Sequence, residues 1–168
     1  MLEYGSNLVF VTWRYAMEIV IVEELNKKIL FNLAQAYEAE FSYITKKNPG
    51  PDGIYPLDTP IDVDHPSFLL YIGGIPVGFC IKGTCDGIHD ISEFYIVPSY
   101  RHNSVGEKFA LIIFQKYSGK WQVRQIEGAD KATRFWRKVI SNFTSGKFVE
   151  ETTLDNYWGK VTRQSFES

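Results

Sequence analysis

The sequence predicts one α/β (α+β) domain with a mixed, mostly antiparallel sheet of about six to seven strands and helices on both faces. Apolar, β-branched runs alternate with longer segments of helical spacing. Glycine-containing turns separate three consecutive runs, as in hairpins. The chain has 168 residues, of which 45% are hydrophobic, so it can bury one core.

The first clear strand is predicted at residues 18–23, which are apolar and β-branched. A helix follows from Asn26 to about Lys46, because Leu30, Leu33, Tyr37 and other apolar residues recur at helical spacing, while Lys27, Lys28, Gln35, Glu38 and Glu40 fall on other faces. Residues 48–66 are rich in Pro and Gly and predict a long loop. Residues 1–16 are assigned to an extension outside the core, and residues 17–168 to the domain.

Residues 67–72 and 75–82 are apolar runs separated by Gly73-Gly74, which indicates a hairpin. A second turn at 83–87 leads to a third antiparallel strand at 88–97, which Pro98 ends. Ser104 and Glu107 have capping-box spacing, so a helix is predicted from there towards Gly119.

The remaining chain predicts a strand, a helix and two closing strands. The strand covers residues 121–126 and the closing strands cover 148–151 and 157–164. Asp130 is the expected helix cap. The apolar stripe expected to face the core consists of Ala132, Phe135, Trp136, Val139 and Ile140.

Composition excludes several classes of protein. The net charge of −2 offers no broad basic surface, so no nucleic-acid partner is expected. No apolar run approaches the roughly 20 residues of a membrane span, so no membrane partner is expected. Cys80 and Cys85 lack a second ligand pair and would lie too far apart for a bridge on one strand, so we expect reduced thiols, no metal and a cytoplasmic location.

Residues 95–110 combine a strand stopped by proline, a basic turn and the start of a helix. Free N–H groups and the positive dipole end of a helix N-terminus favour phosphate. Arg101, His102 and Lys108 add positive charge, and Gly106 permits close approach of a ligand. The pattern indicates an anion site, although many such turns bind nothing.

The same segment resembles the signature of the GNAT acetyltransferases, in which a strand ends in Val-x-Pro and Arg or Gln-x-x-Gly-x-Gly or Ala opens a helix. Val97, Pro98, Arg101 and Gly106 match it, whereas Ser104 stands where the family usually has glycine. Residues 119–124 and the Phe-Trp-Arg-Lys run at 135–138 are similar to a predicted-acetyltransferase branch of that superfamily. The resemblance covers roughly residues 17 to 168 and implies the GNAT fold.

The resemblance implies transfer of acetyl from acetyl-CoA to a primary amine, by direct attack in a ternary complex. The protein is expected to be a monomer or homodimer. It implies that main-chain groups of residues 94–97 hold the pantetheine arm and polarise the thioester. The cofactor-binding residues expected on this basis are Phe94, Tyr95, Ile96, Val97, Arg101, His102, Asn103, Ser104, Val105, Gly106, Glu107, Lys131 and Phe135.

A base must deprotonate the amine, whose pKa is near about 10. Glu93 and Asp90 are the candidates, acting directly or through water, and in an unbulged strand they face opposite sides. Glu93 is preferred because residues 93–97 resemble an acidic-aromatic strand of the same branch, and His89 remains an alternative. A solvated or ion-paired carboxylate is the plain alternative for either acid.

The tyrosine acid and the asparagine of many family members are replaced by Trp136 and Ala129. The acid role then passes to Tyr95, Tyr157 or water, or is not needed, and Trp136 is expected in the core. Asp52, Asp58, Asp62 and Asp64 in the loop would attract a cationic acceptor such as a polyamine, an aminoglycoside-like amine or a peptide lysine or N-terminus, or else cap turns.

Two other functions remain open. The missing tyrosine and asparagine, together with Ser104, fit a non-catalytic acyl-CoA-binding sensor. An interaction protein without cofactor would instead insert a partner segment between the splayed strands. Turnover separates the enzyme from the sensor, and cofactor binding separates both from the interaction protein.

Overall fold

The structure is a computed structural model that describes residues 8–10 and 16–168. Its strands are β1 (Leu8–Phe10), β2 (Met17–Ile21), β3 (Ser67–Ile72), β4 (Ile75–Cys85), β5 (Ile88–Ile96), β6 (Lys120–Ile126), β7 (Val149–Asp155) and β8 (Gly159–Glu167). Its helices are α1 (Lys27–Thr45), α2 (Val105–Lys116) and α3 (Asp130–Thr144), and Pro98–Tyr100 form a short 3-10 helix. From β2 onward the order of elements is the predicted one.

The strands are hydrogen-bonded in the order β1-β2-β3-β4-β5-β6-β8-β7. β5 pairs with β6 in parallel, whereas β1 with β2, β2 with β3, β3 with β4, β6 with β8 and β7 with β8 are antiparallel. The sheet is therefore mixed and mostly antiparallel, as predicted. It has more strands than expected, because Leu8–Phe10, which the prediction left outside the core, pair with β2.

The chain forms two compact units, and the boundaries between them fall within β4 and within β5. The first unit contains Glu93–Gly106 and everything up to Lys82. The second contains Gly83–Ser92 and Glu107–Ser168. Each unit has its own helices and its own buried residues.

The core of the first unit lies between α1 and the strands. Leu30 and Ala34 of α1 are buried with Leu69, Phe79 and Ile81 from β3 and β4. Helical spacing predicted Leu30 on this face, whereas Ala34 was not among the residues expected there. Glu38 is an exception, because it was assigned to a polar face and is only 2% exposed.

The turns of the first four strands differ from the prediction at one place. Gly73 and Gly74 join β3 to β4 as predicted, with φ of 58° and 79°. β4, however, continues through Gly83 to Cys85, so the predicted turn at 83–87 shrinks to Asp86 and Gly87. Both of these have positive φ, 51° and 75°, which is the type I′ hairpin geometry.

The second unit is packed around aromatic side chains. Phe114 of α2 contacts Trp121 of β6, Trp136 of α3 and Phe166 of β8, with ring centroids 5.0, 6.0 and 4.9 Å away. Trp136, Val139 and Ile140 of the predicted α3 stripe are buried. β7 and β8 extend further than expected, to Asp155 and Glu167.

Two predicted caps are wrong. The N-cap of α3 is Ala129, and Asp130 is the first helical residue. The Glu107 carboxylate does not turn back to cap α2, because it accepts hydrogen bonds from Lys138 Nζ at 2.9 Å and Asn142 Nδ2 at 2.8 Å. In both cases a tertiary contact or a different helix start replaces the local pattern.

Both cysteines are free thiols, as predicted, with Cys80 buried and Cys85 exposed. In the part of the chain that the structure describes, no helix combines the length and the apolar character of a membrane span.

Candidate functional site

The C-terminal half of β5 has alternating backbone directions. The Val97 N–H donates to the Val77 carbonyl at 2.8 Å, so it points to β4. The Tyr95 carbonyl also faces β4, since a Cβ atom on Gly78 would lie 2.5 Å from it. Successive peptide groups of a strand alternate in direction, so the backbone groups of Phe94 and Ile96 point away from β4.

The parallel ladder of β5 with β6 is short. It pairs His89 with Trp121, Asp90 with Gln122 and Ile91 with Val123. β5 continues for five further residues to Ile96, and β6 continues to Ile126 while still paired with β8.

Arg101 braces the turn after β5. Its Nε donates to the Ile96 carbonyl at 2.7 Å, and its guanidinium makes a two-bond ion pair with Glu40 of α1 at 2.7 and 2.8 Å. The guanidinium also lies over the Tyr95 ring, 5.4 Å from its centroid. The hydrogen bonds to Glu40 raise the pKa of Arg101. The positive charge of Arg101, which the sequence predicted to attract a phosphate, is thus already paired with Glu40.

The turn that follows is held in an unusual backbone conformation. His102 and Ser104 have φ of 67° and 58°, in the left-handed region that favours glycine. His102, Asn103 and Ser104 are exposed, and Val105 and Gly106 begin the helix side of the turn. Left-handed residues in a turn point consecutive N–H groups into one concavity, which is a common anion-binding geometry.

Ser104 therefore occupies a position that suits glycine. We expect Ser104→Gly to raise the free energy of unfolding by about 0.5–1 kcal/mol, because removal of Cβ relieves left-handed strain and outweighs the added freedom of the unfolded chain. Ser104→Ala, which loses the hydroxyl but keeps Cβ, is the matched control and should not be stabilised. Urea titration of the three proteins measures the difference, and equal stabilisation of both variants would assign it to the hydroxyl.

The other residues predicted to hold the cofactor lie in the second unit. Glu107 is engaged by Lys138 and Asn142, and the hydrogen bond from Lys138 is the main cause that lowers its pKa. Lys131 is exposed on α3. Phe135 packs edge-on against Trp136, with ring centroids 5.0 Å apart.

Glu93 lies in the first unit, facing α1 and the loop after it. Its Oε1 accepts a hydrogen bond from the Thr59 hydroxyl at 2.8 Å. The Tyr37 hydroxyl of α1 donates to the same carboxylate. The side chain remains partly accessible to solvent.

Burial raises the pKa of Glu93 to about 7. The hydrogen bonds from Tyr37 and Thr59 lower it, while the nearby Glu38 and Asp58 carboxylates raise it further. A carboxylate with such a pKa accepts and releases protons near neutral pH, as a general base requires.

Asp90 lies in the second unit and is paired. Its Oδ2 accepts from Arg124 Nη2 at 2.6 Å and Nε at 3.1 Å, and from Gln122 Nε2 at 3.4 Å. It is only 4% exposed, and burial raises its pKa against the effect of Arg124. These contacts correspond to the plain alternative of an ion-paired carboxylate.

The alternative base His89 and the residues considered for the general-acid role lie in different surroundings. His89 Nε2 lies 3.2 Å from the Ser118 carbonyl, and its ring packs 5.0 Å from that of Trp121. Trp136 is 5% exposed in the core, as predicted. Tyr95 is buried, whereas Tyr157 is 76% exposed at the β7–β8 turn.

Sequence reasoning missed two residues that contact Glu93. Tyr37 was recognised only as part of the apolar stripe of α1, where its stacking on Phe41 at 5.4 Å also places it. Thr59 had no signal beyond its position in a long loop. Lys138, the partner of Glu107, was noted only in the Phe-Trp-Arg-Lys run.

Three of the four loop aspartates have local partners. Asp52 accepts from the Ile54 N–H, and Asp62 accepts from the N–H groups of Asp64 and His65. Asp58 pairs with Lys47 at 2.8 Å. The contacts of Asp52 and Asp62 follow the turn-capping alternative for the loop, whereas Asp58 forms an ion pair.

No protein-family model and no curated protein matches the sequence, whereas many solved structures share its fold. One is RimL, a ribosomal L7/L12 alpha-N-protein acetyltransferase in complex with coenzyme A, with 8% identity, a TM-score of 0.65 and coverage of 95% of this chain and 98% of that one. A spermidine N-acetyltransferase SpeG chimera from Vibrio cholerae and hSSAT has 10% identity, a TM-score of 0.59 and coverage of 90% and 95%. A GNAT family acetyltransferase from Elizabethkingia anophelis with acetyl-CoA bound has 10% identity, a TM-score of 0.50 and coverage of 68% and 95%. The chain thus has the fold of the GNAT acetyltransferases, as the sequence predicted.

Proposed function

We propose that this chain, which has the GNAT fold, is an N-acetyltransferase that moves acetyl from acetyl-CoA to a primary amine, with Glu93 as general base. The observation that carries the proposal is the Glu93 carboxylate. It is partly accessible, burial raises its pKa to about 7, and it stands on the strand whose end would hold the thioester.

The proton transfer fits the chemistry of the amine. An alkylammonium with a pKa near about 10 is mostly protonated at neutral pH and cannot attack. Glu93 takes its proton, directly or through one water, and the freed nitrogen forms a bond to the acetyl carbon as the C–S bond breaks. The electron pair of that bond leaves on sulfur, and a thiol with a pKa of about 8.5 departs readily without a dedicated acid.

The cofactor groups are proposed to lie along β5 and the turn after it. Main-chain groups of residues 94–97 that point away from β4 would bond the pantetheine arm, and an N–H among them would polarise the thioester oxygen. The Ile96 carbonyl already accepts from Arg101. The turn at His102–Ser104, with left-handed residues, and the N-terminus of α2 would suit the pyrophosphate, because both kinds of backbone geometry present N–H groups to anions. Arg101 is proposed to support this turn rather than to bind phosphate.

The acceptor is proposed to be a cationic primary amine. Glu38 and Asp58 raise the pKa of Glu93 through their negative charge, and Lys47 offsets only part of that charge. Negative potential beside the base attracts an ammonium group and disfavours an anionic acceptor. The fold neighbours act on acceptors as different as a ribosomal protein and spermidine, so the fold alone does not choose between a peptide and a polyamine.

Titration of acetyl-CoA into the protein by calorimetry, followed by thiol release with a panel of amines, tests the proposal. We expect binding with a Kd on the order of micromolar to about 100 micromolar and amine-dependent thiol release. Binding without release from polyamines, aminoglycosides and lysine peptides would support the acyl-CoA sensor instead. No binding would contradict both functions.

A further inference from the structure

The loop between α1 and β3 is fastened to α1 at two points. The Gln35 side chain accepts a hydrogen bond from the Tyr55 N–H at 2.8 Å and donates one to the Tyr55 carbonyl at 3.1 Å. One side-chain amide thus satisfies both backbone groups of Tyr55. Lys47 Nζ contacts Glu38 at 2.8 Å, Asp58 at 2.8 Å and the Pro56 carbonyl at 2.9 Å. An ammonium group has three donors, and all three are used here.

These fastenings determine where Thr59 lies. Asp58 is its neighbour in sequence, and Leu57 and Ile61 on either side are partly buried against the core that contains Tyr95. Thr59 cannot shift far without breaking the Lys47 contacts or exposing these side chains. Its hydroxyl is left 2.8 Å from Glu93 Oε1.

Several titratable groups surround Glu93. Tyr37 and Glu38 face it from α1, Asp58 from the loop and the Cys80 thiol from β4. Glu38 and Asp58 are both bound by Lys47, and burial raises the pKa of Cys80, which favours the neutral thiol. The hydroxyls of Tyr37 and Thr59 donate hydrogen bonds to the carboxylate.

We propose that Thr59 is a positioning residue for Glu93, and that Gln35 and Lys47 hold the loop so that the Thr59 hydroxyl fixes the carboxylate for proton abstraction. This rests on the proposed function of Glu93. Tyr37 on the rigid helix supplies one donor and the fastened loop supplies the other. The rotamer of the base is thereby set from two sides, and its charged form is stabilised.

Thr59→Val tests the proposal, because valine has the same shape and lacks the donor. Removal of one hydrogen bond to a charged group is worth about tenfold in the ionisation equilibrium. The acidic limb of the pH profile, in which kcat/KM for the amine falls as the base becomes protonated, should therefore move up by about one pH unit. The rate should be about tenfold lower than wild type near pH 6 and close to wild type above about pH 9. Thr59→Ser should restore the wild-type profile, and KM for acetyl-CoA should change less than about twofold.

Lys47→Met tests the role of the loop, and Lys46→Met is its matched control. Lys46 is exposed and its ammonium donates to the Tyr43 carbonyl at 2.7 Å, so its loss removes the same charge without releasing the loop. We expect Lys47→Met to shift the limb in the same direction as Thr59→Val, and the double variant to shift it less than the sum of the two. Lys46→Met should leave it within about 0.2 pH unit.

The outcomes separate this proposal from the proposed function. If wild-type protein releases thiol and Glu93→Gln lowers that release about 100-fold, while Thr59→Val leaves both the rate and the acidic limb unchanged, the positioning role is wrong and the base stands. Additive shifts in the double variant would show that Lys47 does not act through Thr59. Absence of thiol release from wild-type protein would contradict both.

Discussion

Glu93→Gln is expected to lower kcat/KM for the amine by about 100-fold or more at pH 7, the usual contribution of a positioned general base. Glutamine keeps an oxygen that can accept from Thr59, so the change removes the proton-accepting group with little loss of shape. Binding of acetyl-CoA, measured by calorimetry, should change by less than about threefold, because the cofactor groups are proposed to lie along the backbone beyond Glu93.

The pH profile gives the second readout of the same variant. Wild-type kcat/KM should rise with pH along an acidic limb whose midpoint is near pH 7 and then level off, since burial raises the pKa of Glu93 to about that value. The residual activity of Glu93→Gln should lack this limb. Asp90→Asn is the control, because it removes the neighbouring acid of β5 that is paired with Arg124. A limb that persists in Glu93→Gln and disappears in Asp90→Asn would transfer the role to Asp90.

The elements of the fold could be predicted because each rests on a local pattern. Helical spacing located α1 and its buried face with Leu30, and Gly73-Gly74 located the β3–β4 turn. The failures occurred where a tertiary contact replaced the local choice. Glu38 is buried because Lys47 follows the helix and pairs with it, and Glu107 leaves the capping position because Lys138 and Asn142 approach from α3.

The candidate site was harder to predict than the fold. Strand position and resemblance selected Glu93, but nothing in the sequence distinguishes an ionisable side chain facing Tyr37 and Thr59 from one paired with an arginine. Arg101 illustrates the converse, since its spacing matches the signature while Glu40, 61 residues away in sequence, takes its charge. Long-range partners of this kind are fixed by the folded chain, and a sequence pattern carries no record of them.

Stability should vary with pH in a way that identifies the same residue. The pKa of Glu93 is raised from 4.5 to about 7, so the folded protein holds a proton that the unfolded chain releases between these values. The stabilisation of the folded state by this bound proton is therefore fully present below about pH 4.5 and is lost as the pH rises through about 7. The total loss in the free energy of unfolding is at most about 3 kcal/mol. This is the opposite direction to that of a salt-bridged carboxylate.

Glu93→Gln removes this penalty, because glutamine stays neutral at every pH. We expect the variant to match wild type near pH 4.5 and to be more stable than wild type by about 1–3 kcal/mol at pH 8, measured as the free energy of unfolding in urea at both pH values. Glu24→Gln, which removes an exposed carboxylate, controls for net charge. A variant that is less stable than wild type at pH 8 would mean that the charged carboxylate is favoured by its hydrogen bonds, and a base with a pKa near 7 would be wrong. Gain of stability together with loss of turnover would mean that the chain keeps a costly buried carboxylate for its chemistry.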